Sequence, residues 1–457
     1  MIKRNINIFL VSCAALLMTA CSKYLDVKPN SSILESEAYS SQAGFENHLN
    51  GVYLNLASQS LYGGMANMIA PELLAQRYMQ SSPSGADIFK YRVVSSYQWG
   101  DPTTKAMFSS IWSSSYAQIA NLNNILQQID GKKQLFVDSA FNKVKGEALA
   151  LRTFLYFDLL RLFGPVYSVD SARDAIPYYS TVTRGPNDYM PANQLMDSLM
   201  RDGLAARALL DPQYAYKKSF FSYHAVTAML ARMSLYRGAN AQAFDFATEV
   251  IRNQPGKYGF NGPGGAATDP ALSGDAVLAF QNAKLIDVHN KYFSEAITDE
   301  TQLLFPFGEV LSNCFEGQTA DERFRPSIFA LPTQVPHTSY CIYKFSKGNL
   351  VPIIRASECY LIAAETAADP AEGLRYLNLL RAARNIRTLT DATNLNDNIR
   401  KEYMKEFWVE GQLFYYYKRK QTAAIPNNYG GAEVRMSKAT YVVPLPESEL
   451  AIHQPKN

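Results

Sequence analysis

Apolar side chains recur every three or four positions along most of this 457-residue chain, and this spacing limits its fold more than any other feature. The period is that of one face of an α-helix, whereas a half-buried strand alternates apolar and polar residues. Residues 144–163 show it most clearly. We expect Gly164 to end this helix as a left-handed cap and Pro165 to block its continuation. The stripe consists of Ala148, Leu151, Leu155, Leu159 and Leu162, widened by Phe154 and Phe157.

The periodic segments predict pairs of helices joined by short turns. Residues 222–237 and 241–252 form one predicted pair, and residues 352–367 and 370–384 form another. Each pair takes up roughly 32–34 residues, the length of a tetratricopeptide unit. We therefore predict a mainly α protein, a tetratricopeptide-like helical-repeat superhelix. Further helices are predicted at 105–130, 141–163 and 192–210.

Two stretches lack this periodicity, residues 165–191 and residues 255–350. A long irregular stretch inside a compact protein usually has a function. We expect the second stretch to form a loop-rich subdomain with a few short strands. It would be inserted between helical repeats at about 41–253 and about 352–420.

The beginning of the chain has the pattern of a secretory signal. Lys3 and Arg4 precede an apolar run at 6–18, and small residues follow. The run is too short for a transmembrane helix, which needs about 20 apolar residues. We predict that residues 1–20 are a signal peptide and that residues 21–457 form the mature protein.

Cys21 decides which kind of signal this is. A cysteine directly after Thr19 and Ala20 resembles the lipobox of bacterial lipoproteins, although Met18 stands where leucine is usual. In that case the Cys21 thiol is acylated and anchors the protein to a membrane. The alternative is an ordinary cleavage that leaves Cys21 as a free thiol.

Composition argues against several classes of site. The net charge of +3 and the absence of a basic cluster argue against nucleic acid. Cys314, Cys341 and Cys359 form no metal-binding spacing, and the five histidines are scattered, so we expect no metal and no cofactor. One disulfide is possible, but three buried free thiols are favoured. We find no nucleophile-elbow or phosphate-loop motif, which favours a binding protein over an enzyme.

Acidic residues lie at helical spacing in two places. Glu358 and Glu365 share one face, and Glu402, Glu406 and Glu410 share another. Paired carboxylates can act as acid and base in glycosidases. Like charges on one face repel each other unless they are matched. We therefore predict an arginine–glutamate network between helices, with Arg152 and Arg355 as partners.

Several segments, in order along most of the chain, resemble the SusD/RagB family. Glu402, Glu406, Glu410 and Gly411 fit its "ER..E...EG.R" pattern, but Leu413 and Tyr416 depart from that family's residues on the same helix. The other matching segments are 24–29 (YLDVKP), 111–124 (beginning IWS and ending NLNN), 147–157 (EALALRTFLYF), 162–166 (LFGPV), 228–236 (AMLARMSLY), 321–323 (DER), 353–365 (IIRASECYLIAAE) and 441–450 (YVVPLPESEL).

The resemblance implies a scaffold of about four tetratricopeptide repeats. It also implies a lipoprotein at the outer face of the outer membrane, which acts as a lid over a SusC-type TonB-dependent transporter. Members of the family capture oligosaccharide, and some capture peptide. A helical-repeat scaffold without a small ligand is the rival interpretation, and a glycan hydrolase is a third.

Loop aromatics are the candidates for ligand contact, because the apolar C–H faces of sugars stack on aromatic rings. The family's ligand face includes the stretch that residues 61–101 resemble, and Trp99 is the best stacking platform within it. The alternative is that Trp99 only packs the loop onto the scaffold. The other predicted contacts are Tyr62, Arg77, Tyr78 and Tyr97, with Tyr292 from the long insertion.

Overall fold

The structure is a computed structural model that describes residues 37–79, 89–183, 185–213, 217–253, 260, 265–295, 303–331, 340–428 and 430–453. The predicted signal peptide and Cys21 lie outside these residues. In the described part of the chain, no helix combines the length and apolar character needed to cross a membrane.

Helices dominate the described residues and confirm the predicted fold class. A π-helical turn, Met65–Ile69, runs directly into the second helix. In chain order the helices are α1 (Gln42–Leu56), α2 (Ala70–Leu74), α3 (Arg92–Ser95), α4 (Pro102–Ile129), α5 (Ala140–Phe163), α6 (Tyr167–Asp170), α7 (Ala192–Leu209), α8 (Tyr223–Tyr236), α9 (Asn240–Arg252), α10 (Gly265–Thr268), α11 (Leu285–Tyr292), α12 (Gly308–Cys314), α13 (Ala356–Thr366), α14 (Pro370–Ala383), α15 (Leu395–Glu406), α16 (Gln412–Lys420), α17 (Lys438–Tyr441) and α18 (Glu447–Ile452).

The strands are short and pair in antiparallel twos: β1 with β2, β3 with β6, β4 with β5, and β7 with β8. Three of them, β3, β4 and β5, lie in the predicted insertion, and β6 begins at its last residue. The β3–β6 pair is the longest, with Ala276 opposite Arg355 and Gln281 opposite Leu350. In chain order the strands are β1 (Asp174–Pro177), β2 (Tyr189–Pro191), β3 (Ala276–Gln281), β4 (Phe329–Ala330), β5 (Cys341–Ile342), β6 (Leu350–Arg355), β7 (Ala424–Ile425) and β8 (Val434–Arg435).

The long helices pack side by side in one continuous array. α4 packs on α5, α5 on α7, α7 on α8, α8 on α9, α9 on α13, and α13 on α14. Each helix therefore buries an apolar face against the helices before and after it in the array, as stacked repeats do. α5 and α8 lie inside, so α8 is buried along its whole length. The array continues across the insertion, because α9 packs directly on α13.

One predicted helix begins later than its sequence indicated. Residues 352–367 were expected to be helical throughout, but Leu350–Arg355 is strand β6 and the helix starts at Ala356. The run Val351-Pro352-Ile353-Ile354 is apolar on both faces, and such a run does not distinguish a buried strand from a helix. Hydrogen bonding to β3 makes residues 350–355 a strand.

The end of α5 also differs from the prediction. Gly164 is extended, with φ −73° and ψ 168°, and is not a left-handed cap. Pro165 restricts the residue before it to extended conformations. The buried Lys418 ammonium caps the helix instead, donating to the carbonyls of Arg161 at 2.8 Å and Gly164 at 2.7 Å. Burial and the neighbouring Arg161 guanidinium lower the pKa of Lys418 to about 7, so its positive charge complements the helix dipole below that pH.

A buried ion-pair cluster joins the insertion to the last helices of the array. Arg355, at the end of β6, pairs with Glu406 of α15, with Glu410 at 2.9 Å and with Asp275 at 3.3 Å. Arg323 also binds Glu406, at 3.0 Å. We call this the Arg355 cluster; its members are Asp275, Asp321, Arg323, Lys344, Arg355, Arg381, Arg384, Glu402, Lys405, Glu406 and Glu410.

The cluster confirms part of the predicted arginine–glutamate network and corrects the rest. Burial opposes ionisation of Glu406, but Arg384, Arg355 and Arg323 outweigh it and hold the pKa of the Glu406 carboxyl well below its usual range. Arg152 is not a partner of these glutamates. It binds Asp202 of α7 at 2.6 Å, because α5 packs against α7.

The turn between α15 and α16 depends on a glycine. Gly411 has φ +68°, and a Cβ there would lie 2.6 Å from the Asn67 carbonyl oxygen. Its N–H donates to the Glu72 carboxylate at 2.7 Å. Only glycine combines this backbone conformation with so close an approach.

Replacing Lys418 by methionine tests the cap of α5. Lys418→Met leaves carbonyls at the helix end without a donor, and we expect the free energy of unfolding to fall by about 2–3 kcal/mol. Urea titration followed by circular dichroism measures it. The control is Lys420→Met, whose ammonium is 38% exposed and whose partner Glu365 keeps Arg419. Equal effects of the two substitutions would show that Lys418 is not a cap.

Replacing Glu406 by glutamine tests the Arg355 cluster. Glu406→Gln removes the charge that three buried guanidinium groups share, and we expect a loss of about 3–5 kcal/mol in unfolding free energy. Thermal and urea unfolding measure it. Asp397→Asn is the control, since Asp397 pairs with Arg400 on the surface, where both are more than a third exposed. A loss no greater than that of the control contradicts the role given to Glu406.

Candidate functional site

Trp99 lies in the turn between α3 and α4, and its surroundings fix its position. Tyr97, two residues earlier, has φ +54°, a conformation that non-glycine residues seldom adopt. The Tyr97 hydroxyl donates to the Leu74 carbonyl at 2.8 Å and accepts from Gln76 at 3.3 Å. Burial raises the pKa of Tyr97 to about 12, so the phenol stays neutral as a donor. Seven other non-glycine residues in the described part of the chain also have positive φ, so this conformation orients Tyr97 but does not by itself mark a site.

The Trp99 ring is half-buried, and its indole N–H donates to the Ala439 carbonyl at 3.1 Å. The rings of Tyr97 and Phe108 contact it edge-on, each with centroids 5.9 Å away. Asp101 then caps α4 by accepting from the Thr103 N–H at 2.7 Å, and Pro102 takes the first helical position. The ring is therefore held on three sides and is oriented rather than free.

Trp99 lines an open cavity of about 470 Å³, which we call the Trp99 pocket. One wall comes from the start of α4 and the other from the segment that leads into α18. These two parts lie more than 300 residues apart in the chain. The lining residues are Trp99, Gly100, Thr104, Lys105, Phe108 and Ser109 on the first wall, and Val443, Pro444, Leu445, Pro446, Glu447, Ser448 and Leu450 on the second.

The lining of the Trp99 pocket is mainly apolar and contains a few polar groups. The Thr104 hydroxyl is buried and has no hydrogen-bond partner among the described residues. Lys105 and Glu447 connect the two walls through an ion pair of 2.7 Å, with side chains 46% and 77% exposed. Pairs exposed to this degree are weakly held. The pocket thus offers an apolar ring face and a displaceable ion pair, with the Thr104 hydroxyl buried behind its wall.

Three of the predicted tyrosines lie in the interior, which corrects the expectation of an exposed aromatic surface. Tyr62 donates to Asp158 at 2.9 Å, Tyr78 donates to the Met68 carbonyl at 2.6 Å, and Tyr292 accepts from Gln59 at 2.6 Å. All three are at most 4% exposed. Tyr62 and Tyr78 lie in loops that fold back onto the array and Tyr292 ends α11, so all three rings pack the core.

Arg77 is also buried and engaged. Its guanidinium lies over the Trp408 ring at 3.9 Å, donates to the Met404 carbonyl, and lies 3.8 Å from the Glu72 carboxylate. It borders a separate cavity of about 270 Å³. Of the six predicted contacts, the structure brings only Tyr97 and Trp99 to the Trp99 pocket, Tyr97 as a support.

The second wall of the pocket was missed as a binding element. Residues 441–450 were recognised only as a family segment, because one aromatic residue and two glutamates are too few to predict a binding site. The sequence did not single out Thr104, Lys105 and Phe108, because the residues around them have the usual pattern of the first turns of a helix. Only the contact between the two distant segments reveals them.

The other reactive groups have structural roles. Glu358 binds Arg232 at 2.6 Å, and Glu365 binds Arg419 at 2.7 Å, as expected for ties between helices. Cys314, Cys341 and Cys359 are free and buried, as favoured from the sequence, and burial raises the pKa of the Cys341 thiol to about 11. Within the described ranges, no group of three histidine, cysteine, aspartate or glutamate side chains is placed to hold a metal ion.

Comparison with known proteins gives concordant matches. The family profile described as starch-binding and associating with the outer membrane matches residues 23–235. The SusD family profile matches residues 338–450. The SusD-like protein P2 of Formosa agariphila is 24% identical over 240 residues, which are 52% of this chain. That match spans 45% of the relative, so the chain corresponds to about half of its length.

Solved structures share the fold at low identity. A SusD superfamily protein from Bacteroides thetaiotaomicron has a TM-score of 0.76 and 21% identity, over 90% of this chain and 98% of the other. The surface glycan-binding protein A of Bacteroides uniformis has a TM-score of 0.73 and 15% identity, over 90% and 98%. With profile matches at both ends and one fold throughout, this chain belongs to the SusD/RagB family.

Proposed function

We propose that the protein is a cell-surface lipoprotein that captures oligosaccharide at the Trp99 pocket and passes it to a SusC-type TonB-dependent transporter. The observation that carries the proposal is the half-buried Trp99 ring, held in one orientation over an open cavity of about 470 Å³. Membership of the SusD/RagB family supports it. So do the relatives, one of which is described as a surface glycan-binding protein.

The chemistry of the pocket suits a sugar. The C–H face of a pyranose stacks on an indole ring, while its hydroxyls need hydrogen-bond partners. The Thr104 hydroxyl is buried behind the wall without a partner among the described residues, and it could serve as one such partner only after its side chain turns towards the cavity. Lys105 and Glu447 supply a donor and an acceptor once a ligand separates them. Ligand sites are typically apolar cavities with a few placed polar groups of this kind.

Binding and transfer, rather than catalysis, fit the side chains. The paired glutamates that might have served as acid and base are bound by arginines in the helix array, away from the Trp99 pocket. The pocket itself holds one carboxylate, Glu447, which is exposed and paired with Lys105. A retaining or inverting glycosidase uses two carboxyl groups on either side of the bond that it cleaves.

The lipid anchor is part of the proposal. Acylation of Cys21 would tether the protein to the outer membrane, and about 0.8 kcal/mol per buried methylene makes several chains a firm hold. Residues 22–36 would then connect the anchor to the described body. Peptide capture by the same pocket, and a scaffold without a small ligand, are the alternatives that the experiments below separate.

Replacing Trp99 tests the capture site. We expect Trp99→Ala to weaken oligosaccharide binding about tenfold or more, since one lost aromatic stacking contact contributes about 1.4 kcal/mol. Trp99→Phe should retain most of the affinity. Calorimetric titration with a panel of neutral oligosaccharides and short peptides measures both.

The matched control is Tyr292→Phe, because Tyr292 was also a candidate contact but is buried. The affinity of Tyr292→Phe for oligosaccharide should equal that of the unaltered protein. Peptide binding that depends on Trp99, without oligosaccharide binding, would make peptide the ligand in place of oligosaccharide. Binding of neither class would favour the scaffold.

Replacing Cys21 tests the anchor. Cys21→Ala should abolish incorporation of radiolabelled palmitate and release the protein from the membrane fraction, because no thiol is left to acylate. Cys314→Ala is the control and should leave both unchanged. Membrane association that persists in Cys21→Ala would contradict lipid anchoring through this residue.

A further inference from the structure

The helix α18 forms part of the Trp99 pocket on one side and is tied to the body on the other by His453. The imidazole Nδ1 lies 2.9 Å from Glu449 Oε1, and Nε2 lies 2.7 Å from the Asn187 carbonyl oxygen. The ring also packs on Tyr189, with centroids 4.5 Å apart. One side chain therefore connects α18 to the loop that leads into β2.

Both ring nitrogens of His453 face oxygen acceptors. A neutral imidazole carries one N–H, so only the protonated ring donates to both oxygens. Trp112 of α4 donates to the same Glu449 carboxylate. Apart from the ion pair with His453, Glu449 Oε1 has no hydrogen-bond partner among the described residues. Loss of the ring proton leaves this buried oxygen, or the Asn187 carbonyl, without a donor.

The charged groups that face the ring favour its protonated form. They are Glu449 from α18 and Asp188 from the loop before β2; Tyr189 is the other titratable neighbour. Burial opposes protonation, but the Asn187 carbonyl and the two carboxylates outweigh it and raise the pKa of His453 above its ordinary value. The stability from this contact is therefore full below the ordinary pKa of about 6.5 and is lost as the pH rises through the folded value.

The opposite side of α18 supplies Glu447, Ser448 and Leu450 to the pocket. Its other polar ties are the bond from Trp112 to Glu449 and the exposed pair between Glu447 and Lys105, which water solvates. Helix α18 is also short, six residues, and has no stability of its own. His453 and Glu449, paired with each other within α18, carry its bonds to Asn187 and to Trp112, and together they are the firmer polar restraint on this wall.

We propose that His453 and Glu449 form a clasp that holds α18 as a wall of the Trp99 pocket while the imidazole is protonated and loosens it when the proton leaves. The consequence for the ligand rests on the proposed function: affinity at the pocket falls as the pH rises. His453 acts through α18 and touches no ligand, so it is a positioning residue.

Nuclear magnetic resonance of the full chain tests the clasp without any ligand. With 5-fluorotryptophan incorporated, the Trp99 signal, assigned from Trp99→Phe, should shift with the pKa of His453 between about pH 6 and 9. Hydrogen exchange of the α18 amides, corrected for its intrinsic pH dependence, should speed up about tenfold over the same range. Both effects should vanish in His453→Gln.

Three variants sharpen the test. His453→Lys keeps a cation that does not titrate in this range, so the Trp99 signal should stay constant and α18 should stay protected. Glu449→Gln should bring the His453 pKa back towards its ordinary value. His48→Gln, a histidine bonded within α1, should change nothing. A Trp99 signal and an α18 exchange rate that do not follow His453 would overturn the proposal.

Maltohexaose, which carries no titratable group, links the clasp to binding. Its affinity should fall about three- to tenfold from about pH 6 to about pH 9, the effect of one lost charge-assisted hydrogen bond, and should be constant in His453→Lys. Binding that requires Trp99 but ignores pH would overturn the clasp as a control of the pocket. Titration of the Trp99 signal without maltohexaose binding supports the clasp and counts against maltohexaose as the ligand.

Discussion

The Arg355–Glu406 ion pair is the contact on which the arrangement of the molecule depends. It joins the end of β6 to α15, and through Asp275 and Arg323 it reaches the rest of the insertion. Burying so many charges is costly, and attraction repays that cost only when every charge is matched. In the cluster, Arg355, Arg384 and Arg323 surround Glu406, so displacing any one of these elements leaves a buried charge without its partner. The cluster fixes how the loop-rich insertion sits on the helix array, a role for which an apolar interface would be less specific.

Regular helices were predictable from the sequence, and long-range contacts were not. The 3.6-residue period located α5, α8 and α9 almost to the residue, because each of these helices buries a broad apolar face. The period failed at residues 350–355, where a fully apolar run pairs with β3 and becomes a strand. The predicted left-handed cap at Gly164 was wrong for a related reason. The cap of α5 comes from Lys418, and no pattern near residue 164 announces it.

Part of the candidate site was also predictable from the sequence, and part was not. Trp99 was identifiable as an aromatic residue in a loop beside Gly100 and Asp101. Tyr62 and Tyr78 looked alike in sequence, yet their hydroxyls find partners inside the protein and their rings fill the core. Exposure is a property of tertiary packing, so loop position alone did not separate the two kinds of aromatic residue. The wall formed by Leu445 and Glu447 could be recognised only in three dimensions.

Lys418 has a consequence for how cooperatively the chain opens. The ammonium satisfies carbonyls 254 to 257 residues earlier in the chain, at the end of one of the most buried helices. That helix end therefore gains its protein donor only when residues more than 250 positions further along the chain pack against it. The centre of the array and α16 thus form one cooperative unit, and local opening of α16 returns the carbonyls of α5 to water.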